Sequence, residues 1–148
     1  MWYKPYRIKI ERLVLIMAKI TREQIENINK KCINDWRLDV QYYLWHNEKT
    51  LIKHIVIDDE NYIEFRLSFN WKNQITLHIS KYHHRKGDYF ASSKGLGKSR
   101  ILDETQVTRK NINNLITFTE NLTDNECIRI NAETQVTKSC IFVASEEF

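Results

Sequence analysis

Residues 62–82 read YIEFRLSFNWKNQITLHISKY and decide the fold of this 148-residue chain. On either side of the polar stretch 70–73, apolar and polar side chains alternate, which is the pattern of two half-buried β-strands. So short a connection requires the two strands to pair antiparallel. The apolar face of this hairpin carries Ile63, Phe65, Leu67 and Phe69. We expect that face to be buried under helices and the opposite face to contact water.

Further extended segments precede the hairpin and are separated from it by short polar turns. The four strands that the sequence predicts are 40–46, 51–57, 62–69 and 74–82. The predicted fold class is α+β, a four-stranded antiparallel meander with an N-terminal and a C-terminal helix packed on one face.

Helix signals flank the predicted sheet. Thr21 followed by Gln24 forms a capping box that predicts a helix over 21–36. Asp103, with Gln106 as its partner, can cap a second helix that ends near Leu122. Short extra strands are possible at both ends of the chain, at Tyr6–Ile10, Leu13–Ile16, Cys127–Ile130 and Cys140–Val143.

The first residues have two interpretations that stay open. Met17 directly precedes the helix start, so residues 1–16 can be a non-native or accessory extension of a single domain over 17–148. Alternatively, the alternation of apolar and basic residues after Tyr6 is typical of an edge strand.

Composition limits the class of protein. The hydrophobic fraction of 42% indicates a folded chain and argues against disorder as the main state. Three cysteines without a close pair predict a reducing, cytoplasmic setting. The longest apolar run near the start, Leu13–Met17, is too short to span a membrane or to serve as a secretory signal.

The net charge of +4 is unevenly distributed. Segment 81–100 holds six cations and a single acid, Asp88, whereas segment 101–148 is acidic. Segment 81–100 also contains all three glycines, so we interpret it as a long basic loop that binds RNA, DNA or an acidic protein groove. The predicted contact residues are Lys81, Tyr82, Arg85, Lys86, Tyr89, Lys94, Lys98 and Arg100. A solvated hairpin without a binding role is the alternative.

A second predicted site is aromatic. If 40–46 is a strand whose even-numbered residues face the core, then Tyr43 and Trp45 lie on the open face with Tyr62 and Arg66. Such a patch is suited to docking a protein. The alternative is that terminal segments of the chain cover it.

No catalytic, metal or cofactor site is predicted. Asp58, Glu64 and Arg66 faintly resemble a nuclease pattern of Asp followed by Glu-x-Lys, which holds a divalent cation. Arginine stands where that pattern needs lysine, and its permanent charge makes it a poor proton carrier. A metal-dependent nuclease is therefore the third of three functional hypotheses.

The first hypothesis is a non-enzymatic binding protein. The 14 lysines, 13 asparagines and 19 isoleucines are typical of A/T-rich codons. A small domain of this composition without catalytic motifs resembles, in type only, the accessory proteins of phages and mobile elements, among them anti-CRISPR inhibitors of host defence. The expected partner is a host protein or nucleoprotein. The second hypothesis is a regulator that binds RNA or DNA directly through the basic loop.

Overall fold

The computed structural model describes residues 20–134 and shows an α+β fold on an antiparallel meander. In this part of the chain, five strands follow one another across the sheet in sequence order, and each pairs antiparallel with the next. They are β1 (Arg37–Leu38), β2 (Leu51–Val56), β3 (Asn61–Phe69), β4 (Ile75–His83) and β5 (Ser92–Asp103). The helices are α1 (Arg22–Lys31), α2 (Val40–His46), α3 (Ile112–Thr119) and α4, which is helical over 124–134. The predicted fold class is confirmed.

The predicted hairpin is the centre of the sheet. Phe65 of β3 lies opposite Ile79 of β4, and Leu67 lies opposite Leu77. The most exposed of these four side chains retains only 1% of its accessible surface, and they pack in one core with residues of α3 and α4. We call this side of the sheet the helix face and the other side the open face. Tyr62, Glu64 and Arg66 alternate onto the open face.

The capping box of α1 is confirmed, but the predicted end of the helix is wrong. The Gln24 backbone N–H donates to Thr21 Oγ1 (3.1 Å), and the Thr21 N–H donates to Gln24 Oε1 (2.9 Å). The helix ends at Lys31 because the backbone is already extended at Cys32, and Asn34 and Asp35 then turn the chain with positive φ angles of 59° and 64°. Trp36 is still buried, since its indole N–H donates to the Leu122 carbonyl (2.9 Å).

The predicted strand at 40–46 is a helix. Asp39 caps α2 by accepting the Tyr42 N–H (3.1 Å), and Asn47 ends it in the left-handed conformation. The aromatic residues of this segment favour a strand by propensity alone, but caps at both ends and tertiary contacts outweigh that preference. This change of structure also changes which side chains share a face.

The prediction of a long loop at 81–100 is also wrong. β4 continues to His83, a connection covers 84–91, and β5 then pairs with β4 at residues between Ser92 and Asp103. Two register shifts interrupt this pairing, one of them between Ile79 and Lys81. The segment carries almost no apolar alternation, so periodicity gives no strand signal here.

The C-terminal predictions need two corrections. Asp103 does not cap a helix: it ends β5 and accepts the Thr105 N–H (2.9 Å), while Asn111 caps the shorter α3. The segment 127–130, predicted as a strand, belongs to α4, where Cys127 and Ile130 are buried against the sheet.

Several predictions fall outside the described residues. They are the alternatives for 1–16, the start at Met17 and the possible strand at Cys140–Val143. Within residues 20–134, no helix is long and apolar enough to cross a membrane.

Candidate functional site

The open face holds a pocket with a cavity volume of about 240 Å³. Three separate parts of the chain form it: α2 with its cap residue, β3, and the β4–β5 hairpin. We call it the open-face pocket, and its lining residues are Asp39, Gln41, Tyr42, Trp45, His46, Tyr62, Glu64, Arg66, Tyr82, Phe90 and Ala91.

A charged network forms one wall of the pocket. The Nη2 atom of Arg66 donates a hydrogen bond to Asp39 Oδ2 (2.6 Å) and lies 3.5 Å from Glu64 Oε2. Glu64 Oε1 is 2.9 Å from the Nε2 of His54 on the neighbouring strand. The side chains of Asp39, Glu64 and Arg66 are between 5% and 19% exposed. Because these charges are mutually paired and shielded from water, the network fixes the position of α2 over the sheet.

Aromatic rings form the rest of the pocket. Tyr62 and Tyr82 lie opposite each other on β3 and β4 and stack with ring centroids 5.3 Å apart. The Arg66 guanidinium carbon lies 4.4 Å from the centre of the Tyr42 ring. At the rim, Trp45 is 70% exposed and Phe90 is 61% exposed. Large apolar side chains left in water around a concave surface are typical of binding sites.

Burial and charge act together on Tyr82. Burial, and after it the negative charge of Glu64, raise the pKa of the Tyr82 phenol above its usual value. The phenol of an ordinary tyrosine is protonated at neutral pH, and that of Tyr82 stays protonated further into the alkaline range, so it can serve as a hydrogen-bond donor.

The predicted docking set is divided by the helical structure of α2. Trp45, Tyr62 and Arg66 all line the open-face pocket. Tyr43 lies instead in a second groove with Phe69, Lys49 and Lys110. In a helix, residues three positions apart share a face, so Tyr42 joins Trp45 and Tyr43 does not.

The predicted basic set is also divided. Tyr82 lines the open-face pocket, whereas Arg85, Lys86 and Tyr89 are exposed in the 84–91 connection. Lys98 donates to the Asn131 side-chain oxygen (2.7 Å), and Arg100 forms an ion pair with Glu133. These last two cations connect β5 to α4, so their contacts are structural.

Lys81 and Lys94 face each other directly across β4 and β5. Like charges in that position repel. The connection 84–91 also lies beside an acidic turn at 57–60, because the His84 N–H donates to the Glu60 carbonyl (2.7 Å). The basic segment is therefore adjacent to acidic residues at this end of the sheet, and the charge seen in the sequence does not form an uninterrupted positive surface.

The residues of the nuclease hypothesis have other contacts. Asp58 accepts the backbone N–H groups of Glu60 and Asn61, both at 2.9 Å. The bond from Glu60 and the Asn61 side-chain amide are the main causes that hold the pKa of the Asp58 carboxyl below its usual value. Glu64 and Arg66 belong to the open-face network instead. Among residues 20–134, no three His, Cys, Asp or Glu side chains are grouped to hold a metal ion.

Six pocket residues belong to none of the predicted sites: Asp39, Gln41, Tyr42, His46, Phe90 and Ala91. A signal for part of this set exists, because Asp39 is a favourable helix cap and Tyr42, Trp45 and His46 follow helical spacing. A segment of seven residues is too short for that spacing to outweigh its aromatic strand propensity.

Comparison with protein-family models, with curated proteins and with solved structures finds no match to this chain. Function is therefore inferred from the geometry of the open-face pocket.

Proposed function

We propose that this protein is a non-enzymatic binding protein that inhibits a host-defence protein or nucleoprotein by stoichiometric binding, in the manner of anti-CRISPR proteins. The open-face pocket and its rim are the docking surface. The observation that carries this proposal is the exposure of Trp45 (70%) and Phe90 (61%) beside a preformed charged pocket.

Neighbouring exposed side chains extend this surface. Val56 lies opposite Tyr62 on the edge of the open face and is 67% exposed. Tyr89, next to Phe90, is 66% exposed. Aromatic side chains with satisfied polar neighbours are the usual centres of protein interfaces. The ionic network supports a binding role as well, because it positions α2 before any partner arrives and so reduces the ordering cost of binding.

The experiment compares the wild-type protein with a Trp45→Ala/Phe90→Ala double variant and a Trp71→Ala control. Trp71 lies in the turn between β3 and β4, at the other end of β3 from Tyr62, and is 86% exposed, so its loss removes a surface indole outside the pocket. Each protein is immobilised and exposed to a lysate of cells that carry a defence nucleoprotein, with and without nuclease treatment.

We expect a defence protein to be retained by the wild type and by Trp71→Ala, and to be reduced at least about tenfold on the double variant. Inhibition of the captured complex should be complete near equimolar protein. Equal retention by all three proteins, or inhibition at far below equimolar protein as an enzyme would give, contradicts the proposal.

Direct binding of nucleic acid is the second candidate, and one observation favours it. Arg85, Lys86 and Tyr89 are exposed within a single short connection. A variant with Arg85, Lys86 and Lys94 changed to Ser leaves the structural Lys98 and Arg100 intact. Steep, salt-dependent binding of free RNA or DNA that is lost in this variant would favour the nucleic-acid hypothesis over the first.

A further inference from the structure

The open-face pocket carries a net negative charge. Among its described lining residues, the two acids Asp39 and Glu64 are balanced by one cation, Arg66. Asp39 is matched to Arg66 at 2.6 Å, whereas Glu64 lies 3.5 Å from the same guanidinium. Glu64 also lies 2.9 Å from His54 Nε2, so both of its carboxylate oxygens have contacts. With histidine counted as neutral, these contacts leave the negative charge of the pocket in place. The charge of Glu64 raises the pKa of Tyr82, a second residue of the pocket wall, so it acts within the pocket.

Aromatic surfaces surround that charge. Tyr62 and Tyr82 lie on the sheet side, while Trp45 and Phe90 form the exposed rim. A cation on an aromatic face is attracted by the negative charge of the π-system, and the attraction increases where water is partly excluded. The pocket already contains one such contact, that of Arg66 with Tyr42.

The size and shape suit a guanidinium group. A cavity of about 240 Å³ is several times the ~30 Å³ that one water molecule takes in the liquid. A planar guanidinium can stack on a ring and also donate two hydrogen bonds to a carboxylate. A lysine ammonium is compact and strongly hydrated, so it uses aromatic walls less well.

We infer that the open-face pocket receives an arginine side chain of the protein partner, which stacks on Trp45 and Phe90 and pairs with Glu64. This inference rests on the proposed function, because it names the chemistry of the partner at the same surface. Proteins that bind RNA or DNA do so largely through arginine and lysine side chains, which agrees with a nucleoprotein as the partner.

The test uses the full chain and a small probe, so that no partner is needed. Argininamide is titrated while the indole N–H signals of Trp45 and Trp71 are followed by NMR. Citrulline amide is the matched probe, because it keeps the shape of argininamide and removes the positive charge. Lysinamide tests whether the planar group matters.

We expect argininamide to shift the Trp45 signal in a saturable manner and to leave Trp71 unchanged. Citrulline amide should bind at least about tenfold more weakly, and lysinamide should lie between the two. Equal responses of Trp45 and Trp71, or equal affinities for argininamide and citrulline amide, would overturn the inference. Displacement of argininamide by a lower concentration of a mononucleotide would also overturn it, because the pocket would then favour a base.

Two variants locate the contacts. Glu64→Gln should weaken argininamide binding about tenfold, whereas Glu126→Gln, which removes the same charge from α4, should not change it. Trp45→Leu keeps an apolar rim and should weaken binding several-fold. If Glu64→Gln unfolds the chain, Trp45→Leu decides the question, and undiminished affinity in that variant contradicts the inference.

Failure of the inference and failure of the proposed function give different results. If argininamide does not bind but the Trp45→Ala/Phe90→Ala variant still loses its protein partner, the proposed function stands and only the inference of an arginine ligand is wrong. If argininamide binds and the double variant still retains the partner, the pocket recognises arginine, but the proposed docking surface is wrong.

Discussion

The helix face and the open face alternate along β3, yet they exclude water by different means. On the helix face, Phe65 and Leu67 are fully buried among apolar side chains of β4, α3 and α4. On the open face, Glu64 and Arg66 pair with His54, Asp39 and each other, and the Tyr42 ring covers Arg66. Apolar packing tolerates any partner of suitable volume, whereas an ion-pair network requires particular partners. We therefore expect the helix face to supply most of the stability and the open face to set the geometry of the pocket.

Removing an aromatic ring from the helix face should have the largest effect on the free energy of unfolding. Phe65→Ala leaves a cavity at the centre of the core and should cost ~3–5 kcal/mol in the free energy of unfolding. Trp45→Ala on the open face should change it by less than about 0.5 kcal/mol, because Trp45 is 70% exposed. Urea unfolding of both variants measures the difference. Similar losses would show that the open face carries as much of the stability as the core.

Substitutions of Asp39 test how much the ionic network of the open face stabilises the protein, and they should have an intermediate effect on the free energy of unfolding. Asp39→Asn keeps a side chain that can cap α2 but removes the charge that pairs with Arg66, at a cost of ~1–3 kcal/mol. Asp39→Ala removes the cap as well and should cost about 1 kcal/mol more. Chemical denaturation followed by tryptophan fluorescence measures both variants. Identical stabilities for Asn and Ala would mean that the cap contributes nothing.

The smallest effect is expected at the outer edge of the helix face, where Glu133 of α4 pairs with Arg100 and Arg129. The hydrogen bond from Arg100, followed by the charge of Arg129, holds the pKa of the Glu133 carboxyl below its usual value. A carboxyl whose pKa is lowered on folding stabilises the protein above its unfolded pKa, and this contribution is lost as the pH falls through the folded pKa.

Glu133→Gln should therefore lower the melting temperature slightly at pH 7, and the difference from the wild type should disappear in strong acid. Added salt should reduce the difference at pH 7, because the pair is exposed. Glu104→Gln is the control, since it removes an exposed charge beyond β5. A difference that grows toward acid would contradict the sign of this effect.

The contrast between apolar packing and polar or ionic contacts explains which parts of the fold the sequence could predict. The β3–β4 hairpin follows from periodicity alone, because apolar burial on one face leaves a period of two in the sequence. β5 carries no such pattern, since Lys98 and Arg100 are held by polar and ionic contacts with α4. Local sequence patterns do not predict partners that lie 33 positions away.

Some members of the pocket were predictable, but its assembly was not. Trp45, Tyr62, Arg66 and Tyr82 were each candidates by residue type, but they fell into two separate predicted sites. They come together because α2 is held over the sheet by the ion pair between Arg66 and Asp39, which are 27 positions apart. The helical structure of α2 also replaces Tyr43 with Tyr42 at the pocket, which a strand would not do.

The division of the open-face pocket among α2, β3 and the β4–β5 hairpin makes recognition inseparable from folding. The lining residues extend from Asp39 to Ala91, so a short peptide cut from the chain carries only part of the site and should not compete with the whole protein. A ligand that occupies the pocket binds only the native state and must raise its melting temperature in proportion to ligand concentration and affinity. Every substitution that unfolds a fraction of the molecules then removes the same fraction of binding capacity, wherever in the sheet it lies.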